Sequence, residues 1–196
     1  MAVMTREQIE GRLIALHRAS LELVGNLSLE AVLERIVNLA REQAKARYAA
    51  LGVLDEDGNL EQFIPVGMSQ AEINRMEHPP LGRGLIGALQ RERRTLRVAE
   101  MRKDPRSVGF PLNHPPMRSF LGVPILSGER LLGQIYLTDK EDYPEFTPDD
   151  EQVIETLAAY AAVAINNARL YESSLGRDRM LTQRNNDLAL LNDIAT

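Results

Sequence analysis

His114 is followed directly by Pro115 and Pro116 in the stretch Asn113 to Lys140, NHPPMRSFLGVPILSGERLLGQIYLTDK. The proline pair restricts the backbone beside the imidazole, so the ring is held at a low entropy cost. A neutral imidazole held in this way can ligate a metal; the other fate of such a histidine is a solvated loop position. Tyr136 sits in the run Gln134-Ile135-Tyr136-Leu137, where strand alternation places it on the face opposite Ile135 and Leu137. A buried phenol requires a partner for its hydroxyl, and a bound ligand or a backbone carbonyl would serve. Phe110, Met117, Phe120 and Leu121 are the apolar neighbours that would wall a slot between the two.

The remaining chemistry-bearing residues have plainer readings. His78 also precedes two prolines and is expected to be structural or exposed, and His17 falls on a polar part of the first helix. The pair Asp149-Asp150 follows Thr147-Pro148 and reads as a helix start, with the carboxylates at the positive end of the dipole. Gly82-Arg83-Gly84 resembles a phosphate loop but lacks the Lys-Ser/Thr ending, so a tight turn packing helix to sheet is expected. The chain has no cysteine, which excludes disulfides, thiol catalysis, thiolate metal sites and thioether-linked cofactors together.

Composition sets the outer bounds. A chain of 196 residues with 44% apolar and 26% charged content is an ordinary globular protein with one domain plus extensions. A net charge of -5 argues against a nucleic-acid partner, which needs a basic face. No apolar run is long enough for a membrane span and no signal peptide opens the chain, so no membrane partner is expected and the cytoplasm is the expected compartment.

The elements that must position His114 and Tyr136 follow from periodicity. A helix from Thr5 to about Val24 is broken by Gly25-Asn26, and Ser28 caps a second with an apolar stripe at Leu29, Val32, Leu33, Ile36, Val37 and Ala40. Tyr48 to Leu54 and Leu60 to Val66 read as a hairpin closed by DEDGN, with Pro65 at an end or edge. Short helices are expected from Ser69 to Met76 and from about Gly84, and a strand from Thr95 to Val98. Glu100 to Pro116 is a long loop. Phe120 to Leu126 and Leu131 to Thr138 form a second hairpin. A long helix then starts at Thr147. From Tyr171 its apolar stripe becomes sparse, with Leu175, Met180, Leu181, Leu188, Leu191 and Ile194, which suits pairing with a second copy; Gly176 is a possible break. The expected fold is α+β, a central antiparallel β-sheet with flanking helices and long terminal helices. Its parts are residues 1–27 as an N-terminal helix, 28–172 as the domain and 173–196 as a C-terminal signalling helix or linker.

The segments SLEAVLERIVNLA, RYAALGVLDEDG, LGRGLIG, FLGVPI, LLGQIYLTDK and FTPDDEQVIETLAAYAAVAINNARLYE resemble a GAF domain, in order, across roughly residues 28 to 172. More narrowly, SVGFPLNHPPMRSFLGVPI with LLGQIYLTDK resembles the haem-binding first GAF domain of dormancy sensor histidine kinases. That resemblance implies haem b (iron protoporphyrin IX) as cofactor, His114 as the axial iron ligand and Tyr136 as a distal donor to a diatomic gas, O2, NO or CO. Arg83 and Arg118 are then candidates for the propionates. Gly52 and Leu54 stand where some members carry polar groups, and Asn113 stands where members often have histidine or tyrosine. The resemblance implies a non-enzymatic sensor, working as a homodimer through its terminal helices on an output module such as a histidine kinase. The alternative is a haem-free GAF module for dimerisation or another small ligand. GAF-type methionine sulfoxide reductases and bilin carriers depend on cysteine. Cyclic-nucleotide-binding GAF domains carry an asparagine-lysine-phenylalanine motif absent from this chain.

Overall fold

The computed structural model of the chain describes residues 28–75, 82–110 and 114–194, beyond Tyr171 as backbone apart from Ser173. The expected first helix with His17, and His78, lie outside the described residues. Ser28 caps helix α1 (Leu29–Gln43), its side chain accepting from the Ala31 amide. Strands β1 (Ala46–Leu54) and β2 (Leu60–Val66) form the first hairpin. Its turn is closed by Asp55, whose carboxylate accepts from the amides of Asp57 and Asn59, while Gly58 takes a φ of +84°. Helices α2 (Gln70–Arg75) and α3 (Gly84–Glu92) lead to β3 (Leu96–Val98). A single 3-10 turn at Met101–Lys103 opens the long loop. Strands β4 (Phe120–Ser127) and β5 (Arg130–Lys140) precede α4 (Pro148–Ile194).

The five strands form one antiparallel sheet in the order β2-β1-β5-β4-β3. The two prolines inside strands fall where a missing N–H costs little. Pro65 is on the edge strand β2, and Pro124 lies past Gly122, where β3 ceases to pair with β4. α1 and α4 pack against one face. Leu33, Val37 and Ala40 from α1 and Ile154, Leu157, Ala161 and Ile165 from α4 meet Leu51, Val53, Leu121, Val123, Ile125, Ile135 and Leu137 of the sheet. Every sheet residue in that set is separated from the next on its strand by one residue, the period of a pleated strand. The other face carries a smaller cluster of Leu85, Ala88, Leu89, Leu96, Val98 and Phe120 under α3.

α4 starts as its sequence predicts. The Thr147 hydroxyl accepts from the Asp150 amide, and the Asp150 carboxylate accepts from the Thr147 amide and hydroxyl. Asp150 therefore caps a helix rather than forming a carboxylate pair with Asp149. The same carboxylate meets Lys140 Nζ at 3.0 Å; Lys140 also donates to the Ala44 carbonyl at the end of α1. The buried ammonium thus ties β5, α1 and α4 together. Gly176 does not interrupt α4, which is helical to Ile194; one glycine costs only about 1 kcal/mol, which good helix formers around it offset. Among the described residues no helix is long and apolar enough to cross a membrane.

Candidate functional site

On the face of the sheet away from α1 and α4 lies a cavity of about 470 Å³. Its floor is made by alternate residues of the strands: Tyr48 and Ala50 of β1, Phe63 and Pro65 of β2, Tyr136 and Thr138 of β5, and Phe120 of β4. Its far wall is the start of α3 with Arg83, Leu85 and Ile86, and its rim is the loop with Met101, Ser107 to Phe110, His114 and Met117. Small residues in the floor make the depression. Ala50 and Gly122 flank Tyr136 in register on the two neighbouring strands. A Cβ on Gly122 would stand 2.7 Å from Cε1 of Phe120, so the glycine lets the Phe120 ring lie down on the sheet. There it stacks on Tyr136 with ring centroids 6.3 Å apart.

Five of the six residues singled out in the sequence line this one cavity: Phe110, His114, Met117, Phe120 and Tyr136. Leu121 does not. As the chain neighbour of Phe120 on β4 it points through the sheet into the core against α1 and α4. Its assignment to the slot is corrected by the alternation of the strand it belongs to. Arg83 lines the cavity, whereas Arg118 points elsewhere: its guanidinium donates to the Pro144 carbonyl and its amide to Asp139. The contributions of Tyr48, Phe63, Pro65 and α3 were not singled out from the sequence. The period-two pattern of β1, together with Tyr136 on the same face, would have pointed to Tyr48 and Ala50. The α3 wall depends on a crossing that no local pattern encodes.

His114 is half-buried and stacks on Phe110, with ring centroids 5.1 Å apart and planes 14° apart. Its Nδ1 lies 2.8 Å from the Pro115 carbonyl, which can only accept, so Nδ1 carries the proton in this contact. With the proton on Nδ1, a neutral form of the ring has its lone pair on Nε2, the arrangement in which a backbone acceptor orients a ligating histidine. Met117 is held by the Thr138 hydroxyl, which donates to its sulfur at 3.1 Å. The Tyr136 hydroxyl is buried and has no hydrogen-bond partner among the described residues. Burial pushes its pKa far above the ordinary phenol range, so it is a neutral donor at any physiological pH. A buried hydroxyl beside a cavity and lacking a partner is what a ligand's acceptor would complete.

The rim is pinned by charge. Asp104 accepts from the amide and guanidinium of Arg106, which also pairs with Glu92 at the end of α3 at 3.6 Å. The Arg106 hydrogen bond holds the Asp104 carboxyl below its usual range. On the far side of the rim, the Asp139 carboxylate and the Ser119 hydroxyl clip the segment after Met117 to the end of β5.

Comparison with known proteins places the fold. The chain is 24% identical to the GAF domain of a phosphoenolpyruvate-protein phosphotransferase from Coxiella burnetii, with a TM-score of 0.66 over 82% of this chain and 96% of that one. It is 21% identical over 181 residues to the Nif-specific regulatory protein of Herbaspirillum seropedicae, covering 90% of this chain and 33% of the relative. It is 27% identical over 107 residues to the cone cGMP-specific 3',5'-cyclic phosphodiesterase subunit alpha' of Mus musculus, covering 52% of this chain and 12% of the relative. The chain thus spans a third or less of the curated relatives it matches. These relatives differ in output and single out no ligand. The model of the GAF domain family matches residues 26–166, most of the described sheet and its helices, and the chain belongs to the GAF domain family.

Proposed function

We propose that this GAF domain, a sensory or regulatory module by family, binds haem b in the sheet-face cavity and responds to a diatomic gas or to redox state. The observation that carries the reading is the joint lining of one apolar cavity by an imidazole whose Nδ1 is taken by the Pro115 carbonyl and by a buried phenol with no hydrogen-bond partner among the described residues. The fit is chemical as well as spatial: haem needs an apolar slot, one neutral imidazole and a distal side of set polarity, and the cavity volume is in the range of cofactor sites. His114 would hold the iron through Nε2, with Phe110 and the Pro115 carbonyl fixing its ring. Arg83, the cationic side chain on the cavity wall, would face the propionates. When bound, haem b would supply an iron centre able to take O2, NO or CO. Tyr136 would present its hydroxyl to the ligand side, favouring a ligand that accepts a hydrogen bond over carbon monoxide. Phe120 and Met117 would wall that side.

The response would pass to α4 through the segment Met117 to Ser119, which is clipped to β5 just before Lys140 and Asp150. Val163 and Leu170, one heptad apart, and Tyr171 lie exposed on α4, which supports a homodimer through the terminal helices. The output module remains part of the proposal.

The test is spectroscopic. Protein produced with added haem should show a Soret band, and His114→Ala should lose or shift it. A Soret band unchanged by the substitution would remove His114 as ligand. No band in either protein would return the cavity to the alternative, a haem-free GAF module for dimerisation or another small ligand.

A further inference from the structure

β5 presents Gln134, Tyr136 and Thr138 to the cavity face of the sheet, every second residue. They form a polar ridge between Gly52 and Ala50 of β1 on one side and Pro124 and Gly122 of β4 on the other. Thr138 is satisfied by Met117. The other two are not. Gln134 is only 2% exposed, and among the described residues neither its Oε1 nor the Tyr136 hydroxyl has a hydrogen-bond partner. A buried amide oxygen and a buried hydroxyl, each stripped of hydration without compensation, are costly to keep. They are complementary, one an acceptor and the other a donor. Residues two apart on a strand have Cα atoms about 6.7 Å apart and project to the same face, so the phenol and the amide share one side of the sheet. A water hydrogen-bonded to both at about 2.8 Å would satisfy the donor and the acceptor together.

We infer that Gln134 is the positioning partner of Tyr136 and that one buried water joins them. The phenol donates to the water and the water donates to Gln134 Oε1. A cavity ligand with a good acceptor atom then competes with that water for the phenol proton, whereas a ligand without one does not compete. Gln134 thereby sets how strongly the cavity discriminates between acceptor ligands and carbon monoxide. The ligand half of this inference rests on the haem reading above; the pairing of the two side chains does not.

Two measurements separate these halves. In the haem-free chain, Gln134→Leu, Tyr136→Phe and the double variant form a thermodynamic cycle read by urea unfolding. The expected result is non-additivity of more than about threefold in the unfolding equilibrium constant. Gln134→Met serves in place of Gln134→Leu if the latter packs poorly. Additive effects would overturn the pairing, whether or not the chain takes haem. In the haem-loaded protein, Gln134→Leu should raise oxygen affinity several-fold relative to carbon monoxide affinity, with the Soret band retained. An unchanged ratio would overturn the role in discrimination. Loss of the Soret band in the parent chain would instead strike the haem reading and leave the cycle to judge the pairing.

Discussion

Leu121, Val123, Ile135 and Leu137 interlock with α1 and α4 on one face of the sheet, while their immediate chain neighbours Phe120, Gly122, Gln134 and Tyr136 look the other way, toward the cavity side. The first face is aliphatic and closed. The second mixes an aromatic pair, a polar ridge and glycines, and it leaves a cavity open. The same two strands therefore carry core packing and cavity lining on interleaved residues. A change at one position loads one face without directly touching the other.

The sharpest way to break the comparison is to substitute adjacent residues. Leu137→Ala should cost about 2–5 kcal/mol in urea unfolding, because a fully buried side chain leaves a void against α1 and α4. Tyr136→Phe, next to it, should cost under about 1 kcal/mol, since it deletes one hydroxyl on the cavity face and leaves the aromatic ring, and so no void, in place. Equal losses would mean that the two faces are not separable. Lys140→Met should cost about 3 kcal/mol, leaving the Asp150 carboxylate without its buried cation where β5, α1 and α4 meet. A neutral result would show that the helix cap alone satisfies Asp150. Gly122→Ala should cost about 1–3 kcal/mol by lifting the Phe120 ring off the sheet, and it should weaken ligand uptake more than it weakens the fold. The smallest effect concerns the rim. Asp104→Asn should lower stability at neutral pH. The Asp104 carboxyl is held below its unfolded value, so its contribution is present above that value and lost as pH falls through the folded one. The difference from the parent chain should therefore begin to shrink as pH falls below about 4 and disappear only once pH is under the lowered folded value. A difference that does not shrink at all as pH falls from about 4 to about 2 would show that the ion pair with Arg106 is not what pins the rim.

How much of this was legible in the sequence differs between the two faces. Helix α1, both hairpins, the Asp55 turn and the start of α4 follow from local signals: a cap, a period, a glycine. Each is satisfied within a few residues, so the sequence shows it directly. His114 and Tyr136 were visible because proline restriction and strand alternation are also local. The misassigned Leu121 shows the limit: nearness in sequence to His114 suggested a shared wall, yet one step along a strand turns a side chain to the opposite face. The contributions of Tyr48, Phe63 and α3 depend on which strands become neighbours, and Gln134 emerges only once burial and partners can be counted. The first helix falls outside the described residues and is neither supported nor corrected.

The uninterrupted α4 has a mechanical consequence. A helix of 47 residues is about 70 Å long; Asp150 fastens its first turn to β5, Ile154 to Ile165 pack on the sheet and Arg169 reaches Glu61, so roughly the last 25 residues, about 37 Å, lie beyond these contacts. A pointer of that length magnifies: one degree of tilt where the contacts end sweeps the far end by about 0.6 Å. Adjustments too small to alter the packing of the sheet would therefore reach the distal tip as displacements comparable to the side-chain shifts by which packed interfaces change register.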